Sequence, residues 1–154
     1  MNEKARTYWN DFWQGTQPPT HVTAEQFGYN ELVDQLAQLI IDGKKKATCS
    51  AHIFYQLEGE QLPAANKYTI VLNSCQEPVA IIRTTEVLLI KMNDVTPQLA
   101  AEEGEGDLSY KYWYDGHKKF FTAELQGHGM EFADDMLLVF ERFELIDVHA
   151  EEAK

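Results

Sequence analysis

A mixed α+β domain, with helices covering one side or end of a curved sheet, is the fold class this sequence predicts. Three observations predict it. Leu32, Val33, Leu36, Leu39 and Ile40 recur at helical spacing within residues 30–42. Two β-rich runs, 67–72 and 78–90, flank the turn-like insert Asn73-Ser74-Cys75-Gln76-Glu77. A last strand-like run, 136–148, follows an aromatic helical stretch over 109–126. Helix, strands, helix, strand is an order that suggests helices covering one side or end of a sheet.

Each element has its own warrant. Tyr8, Trp9, Phe12 and Trp13 give residues 7–15 one apolar helical face, and Gln17-Pro18-Pro19-Thr20 then breaks the chain. The helix over 30–42 ends where Gly43 stands at a C′ position. Residues 48–56 read as a strand, and 59–66, with Pro63, as a loop. The segment 79–88 is so apolar and β-branched that it reads as a central strand. A loop and short helix follow over 92–103, with Asp94 or Thr96 as cap and Pro97 in the first turn, until Gly104 and Gly106 interrupt it. In 136–148, Leu138, Phe140 and Arg142 fall on one face and Val139, Glu141 and Phe143 on the other.

Composition bounds the function. A chain of 154 residues is one domain by length, and 44% hydrophobic residues supply a core. No apolar run reaches the roughly 18 residues of a membrane helix, and Met1-Asn2-Glu3-Lys4-Ala5-Arg6 lacks the apolar segment of a secretory signal. Cys49 and Cys75 have no metal-ligand or C-x-x-C spacing, so reduced thiols in a cytoplasmic protein are expected, with no metal and no cofactor. A net charge of −12 argues against a broad grip on duplex DNA but leaves room for a small basic pocket.

Within that acidic chain, Gly43-Lys44-Lys45-Lys46-Ala47-Thr48 reverses the charge locally. Cations at a helix exit complement the macrodipole, which is one reading of Lys44 and Lys46, the other being an anion-handling site. Lys45 with Thr48 can instead aim an ammonium and a hydroxyl into one cleft, to hold an oxyanion or to form an activated nucleophile. Arg83 interrupts an apolar strand; it either snorkels to water or is held in a pocket by a carboxylate. Strand alternation sets Arg83 and Glu86 on opposite faces. Glu102-Glu103-Gly104-Glu105-Gly106-Asp107 supplies acids on a flexible backbone, either solvated or neutralising Lys45 or Arg83. The run lacks the ligand spacing of an EF-hand. Asp107 and Ser109 sit where a helix cap would. Tyr110, Tyr112, Trp113 and Tyr114 are core or base-stacking residues. His117 reads first as a structural histidine, and His52, His128 and His149 share no spacing.

Together these residues resemble the ASCH domain, a PUA-like β-barrel family with the signature G-x-K-x-x-T-x-R. Gly43, Lys45 and Thr48 match it, and Ser50 stands at the arginine place. The likeness extends to a bacterial subgroup of about this length through Phe27-Gly28, Thr84-Thr85-Glu86-Val87, the E-G-E-G-D run of 103–107, Trp113, the F-x-x-D-M run of 132–136 and Glu141-Arg142-Phe143. It covers roughly residues 25–147, so residues 1–24 read as an N-terminal helical extension and 25–150 as the domain. The resemblance implies a PUA-like curved or closed β-barrel with flanking helices, binding RNA or a nucleotide or nucleoside in a basic cleft. Some members are amidohydrolases on 4-acetylcytidine with a Lys, Thr and strand Glu triad; others look like ribonucleases. Lys45 and Thr48 take the first two places. Arg83 takes the strand Glu place, so Glu86 or an acid of 103–107 would have to complete that triad. A metal-independent ribonuclease would instead use Lys45, Arg83 and Ser109 around a scissile phosphate. The expected cleft therefore gathers Lys45, Thr48, Glu105 and Ser109 as catalytic groups, with Arg83, Glu86, Glu103, Asp107, Tyr110 and Trp113 binding the ligand. The oligomeric state is left open.

Overall fold

The computed structural model describes residues 1–150. Its elements are α1 (Glu3–Phe12), β1 (Val22–Gln26), α2 (Leu32–Ile41), β2 (Ala47–Ala51), α3 (His52–Glu58), β3 (Tyr68–Leu72), β4 (Pro78–Lys91), a 3-10 turn (Met92–Asp94), α4 (Pro97–Glu102), α5 (Tyr110–Gln126) and β5 (Leu137–Val148). The five strands form one sheet in the order β1-β3-β4-β5-β2, curled into a half-barrel with flanking helices. Among the described residues, β1 and β3 run parallel and the other three pairings are antiparallel.

The long strand β4 is the spine. It pairs with β3 through its first half and with β5 along most of its length. Thr84 faces Phe143 and Glu86 faces Arg142, so Thr85 is an extra residue that bends the strand. That bulge corrects one expectation: Arg83 and Glu86 lie on the same face, opposite Glu144 and Arg142.

Both faces of the sheet are covered. Ala5, Tyr8 and Trp9 of α1 bury against Ile70, Leu72 and Ile81. Ala37 and Ile40 of α2 bury against Val71, Ala80, Ile82 and Phe143 on the concave face. A third cluster packs Trp113 and Phe121 of α5 against Ala51, Met92, Val95, Ala100 and Leu138. The N-terminal helix is thus built into the sheet's core, and β1 spans the boundary expected at residue 25.

Two element assignments differ from the sequence reading. The expected strand over 48–56 stops at Ala51, and α3 takes over, because Ile53 and Phe54 pack against the α5 cluster, where a helical turn presents both. Strand β1 went unforeseen: five residues on a sheet edge, half-buried and mixed in polarity, carry little pattern. Other local signals act as expected. Thr96 caps α4, its hydroxyl accepting the Leu99 N–H, with Pro97 next. Ser109 caps α5 by accepting the Tyr112 N–H.

Candidate functional site

The chain leaves α2 at Gly43, whose φ of +73° suits a left-handed C′ position. The Lys45 N–H donates to the Leu39 carbonyl at 3.0 Å, and the Lys46 N–H donates to the Glu102 carbonyl at 2.9 Å. The Lys46 carbonyl accepts from Phe143 N–H of β5 at 3.0 Å. These bonds hold Lys44–Lys46 between the end of α2, the end of α4 and the sheet. Lys45 is turned inward and is only 2% exposed.

Its ammonium meets two carboxylates. Lys45 Nζ lies 3.0 Å from Glu105 Oε2 and 3.3 Å from Glu103 Oε1, and also donates to the Glu103 carbonyl at 3.4 Å. Glu103, 1% exposed, accepts further from Trp113 Nε1–H at Oε2 and meets His117 Nε2 at 3.3 Å from Oε1. His117 Nδ1 sits 2.8 Å from the Trp113 carbonyl, one helical turn back, and donates to it because a carbonyl can only accept. Cys49 Sγ completes the group: with Glu103 and His117 it offers ligand atoms all within 4.8 Å of one another.

Burial opposes every charge here, and the partners decide the outcome. Burial weighs against the Lys45 ammonium, but Glu103 and Glu105 hold its pKa above the ordinary value. Burial likewise opposes ionised Glu103, yet His117 and Lys45, with hydrogen bonds from His117 and Trp113, drive its carboxyl well below the usual range. Burial pushes the Cys49 thiol up to about 12. His117 is raised well above 6.5 against its own burial, by Cys49 and Glu103. At neutral pH the thiol is uncharged, so Glu103 is the charge that holds the imidazolium. Breaking a buried network of this kind is expensive even where forming it is nearly neutral.

The cluster borders a cavity of about 740 Å³ enclosed by the concave face of the sheet, α3, α5 and the segment after β1. Thr48 and Ser50 of β2 line it, as do Glu141 and Phe143 of β5, with Phe54, Tyr55, Tyr112, Trp113 and Phe120 as aromatic walls. Thr48 and Glu141 are direct cross-strand partners, so their side chains share a face. Among the described residues lining this cavity are Glu25, Glu58, Glu60, Glu103, Glu105, Glu124 and Glu141, against Lys45 and Lys67 and no arginine. The expected basic cleft is corrected by this: the hollow is acidic, because Lys45 is neutralised at its base and the remaining glutamates come from strands, helices and the loop after α3, far apart in sequence.

The structure brings Lys45, Thr48, Glu103, Glu105 and Trp113 to one cavity. It does not bring Arg83, Glu86, Asp107, Ser109 or Tyr110 there. Arg83 neighbours the cavity-lining Ile82 along β4, so alternation turns it to the other face, where it pairs with Glu144. The meeting of Arg83 with Lys45 is corrected accordingly. Glu86 pairs with Arg142 at 2.8 Å, and Arg142 also grips Glu102. Asp107 Oδ1 accepts the Ser109 N–H at 2.9 Å, so this pair shapes the start of α5. Tyr110 stacks on Trp113, ring centroids 5.9 Å apart.

Three residues carry more here than the sequence assigned them. His117 was read as structural, and Cys49 as a spectator thiol; both touch Glu103. Glu141 drew attention only within a strand pattern. For His117, one signal existed: its i,i+4 spacing from Trp113 places both on one side of α5.

Glu141 offers a measurement. Burial, more than its repulsion from Glu25, raises its carboxyl pKa, while Lys67 and a hydrogen bond from Thr84 at 3.2 Å act the other way. A raised folded-state value means the fold favours the protonated acid; that stabilisation is present below the ordinary 4.5 and is lost as pH rises through the raised value. Glu141→Gln is therefore expected to melt at a higher temperature than the parent chain at neutral pH, with the difference vanishing below pH 4.5. Thermal melts across pH 3–8 check it.

The comparisons with known proteins agree with this architecture. The family model of the ASCH domain matches residues 23–147. The crystal structure of an ASCH domain from Lactobacillus crispatus JV V101 superposes with a TM-score of 0.91 at 33% identity, covering 97% of each chain. A protein of Enterococcus faecalis V583 superposes at 0.85 with 38% identity, covering 96% of this chain and 91% of the other. No curated protein matches the sequence.

Proposed function

The chain belongs to the ASCH domain family, a family associated with RNA binding, and from that premise we propose that its cavity receives a single unpaired base or nucleoside rather than a phosphate. The observation that carries this reading is the charge of the hollow. Seven glutamates face two lysines and the His117 imidazolium, and Glu103 and Glu105 already neutralise Lys45. A phosphodiester brought there would meet net repulsion in a partly desolvated space. A base brings no charge, stacks on aromatic walls at about 1–3 kcal/mol per base, and offers amino hydrogens to carboxylates, as cytosine N4 does to Glu.

The test is a titration of the protein with cytidine, uridine and cytidine 5′-monophosphate, followed calorimetrically at two salt concentrations. Cytidine is expected to bind more tightly than either competitor, with little change between low and moderate salt. Tighter binding of the monophosphate, with affinity falling steeply in salt, would overturn the reading.

A hydrolytic reading has one observation in its favour: Thr48 and Glu141 stand opposite each other across β2 and β5, both lining the cavity. In amide hydrolysis of 4-acetylcytidine, Thr48 Oγ would attack the acetyl carbonyl while the Glu141 carboxylate takes the hydroxyl proton. That proton then passes to the departing N4 amine, and water releases acetate from Thr48. The Lys45 ammonium, held protonated by its two carboxylates, would serve as charge stabiliser and not as base. Thr48→Ala should abolish release of cytidine, by at least about 100-fold, while leaving cytidine binding intact. Absence of turnover by the parent chain would end this second reading.

A further inference from the structure

We propose that Cys49, Glu103 and His117 form a binding site for a transition-metal ion of the zinc type at the buried edge of the cavity. The site goes beyond the ligand reading above and does not depend on it. Thiolate, imidazole and carboxylate together are a donor set suited to such an ion. They come from β2, the turn after α4, and α5, so no sequence spacing announces them. Their ligand atoms lie within 4.8 Å of one another, and all three residues border the cavity, which leaves a further coordination position open to it.

The geometry within the group points the same way. Two nitrogen or oxygen ligands at about 2.0–2.1 Å from a tetrahedral zinc are about 3.3–3.4 Å apart. His117 Nε2 and Glu103 Oε1 are 3.3 Å apart, longer than the roughly 2.7–2.9 Å of a charge-assisted hydrogen bond. The outer contacts are those that orient metal ligands. His117 donates Nδ1–H to the Trp113 carbonyl at 2.8 Å, which reserves Nε2 for the site. Glu103 is fixed through its other oxygen by Trp113 Nε1–H. Lys45 retains Glu105 at 3.0 Å whether or not Glu103 Oε1 is shared with an ion.

An ion needs a neutral His117 imidazole and a Cys49 thiolate, so it competes with protons at both ligands, while Lys45 keeps its pairing with Glu105.

Cobalt(II) titration of the 154-residue chain, dialysed first against a chelator, tests the site. One equivalent is expected to bind, with visible bands of tetrahedral intensity and a thiolate-to-cobalt charge-transfer band in the near ultraviolet. Zinc should displace it, and binding should release protons. Cys49→Ser should erase the charge-transfer band and weaken binding by more than about 100-fold, whereas Cys75→Ala, which removes the exposed thiol, should leave both unchanged. His117→Gln should weaken binding similarly; circular dichroism verifies that each variant is folded, and Cys49→Ser decides the matter if His117→Gln is not. Absence of the charge-transfer band in the parent chain, or its persistence in Cys49→Ser, overturns the proposal.

Discussion

Gly104→Ala is expected to destabilise the protein by about 4 kcal/mol or more, lowering Tm by roughly 8–16 °C for a chain of this size. Two effects add at this position. Its φ of +71° penalises any side chain, by about 1–2 kcal/mol for an ordinary L-residue. A methyl group there would also sit 2.2 Å from the Lys44 carbonyl oxygen and 2.9 Å from Lys45 Cα. Both obstacles are backbone, and backbone that is pinned: Lys46 N–H bonds the Glu102 carbonyl at 2.9 Å on one side of the contact. The two segments cannot separate without tearing Glu103 and Glu105 away from Lys45. Gly129 is the control, with the same φ of +71° and no atom within 4 Å of an added methyl. Gly129→Ala should show only the conformational part, about 1–2 kcal/mol. Urea melts of the two variants measure the difference, and equal losses would mean the close approach contributes nothing.

Glu103→Ala is expected to have the second large effect, about 3–5 kcal/mol. It leaves His117 without its carboxylate, beside a Lys45 ammonium that keeps only Glu105, and leaves the Trp113 indole N–H without its acceptor. Glu103→Gln keeps an acceptor oxygen and should lose less. Lys45→Met should also lose less than Glu103→Ala, because Glu103 keeps His117 and Trp113 as partners. The double variant carrying Lys45→Met and Glu103→Ala should be more stable than the sum of the single losses predicts, since each removes the other's unmet charge. Denaturant titrations of the four chains give the coupling. A Glu103→Ala chain within 1 kcal/mol of the parent would contradict the account.

The sheet's spine and the helices α2, α4 and α5 were legible because each writes a periodic pattern or a terminal signal: β-branched residues along 79–88, Gly43 after α2, Thr96-Pro97 before α4 and Ser109 before α5. The meeting of Lys45 with Glu103 and Glu105 was legible as a choice among acids, and the structure picks two of them. What stayed hidden depends on long-range geometry. No local rule announces that Thr85 is a bulge, yet that extra residue decides which face Glu86 occupies. The facing of Arg83 needed only alternation from Ile82, but it also needed the knowledge that Ile82 looks into the cavity. The acidity of the hollow was hidden for a related reason: Glu25, Glu58, Glu124 and Glu141 lie on four different elements, and only the curl of the sheet collects them.

The position of β5 has a consequence for how the chain must come together on the ribosome. The last strand among the described residues is not at a margin of the sheet; it is inserted between β4 and β2, and among those residues β2 has no other strand beside it. Until residues 137–148 emerge, β2 lacks a neighbour and β4 keeps one flank bare, an arrangement prone to sticking to other nascent chains. Closure must then bring Ala47 to Arg142 across most of the polypeptide, a non-local step of the kind that makes folding slow. Thr48 and Glu141 meet in that same step, so the hollow acquires its floor only when folding is nearly done.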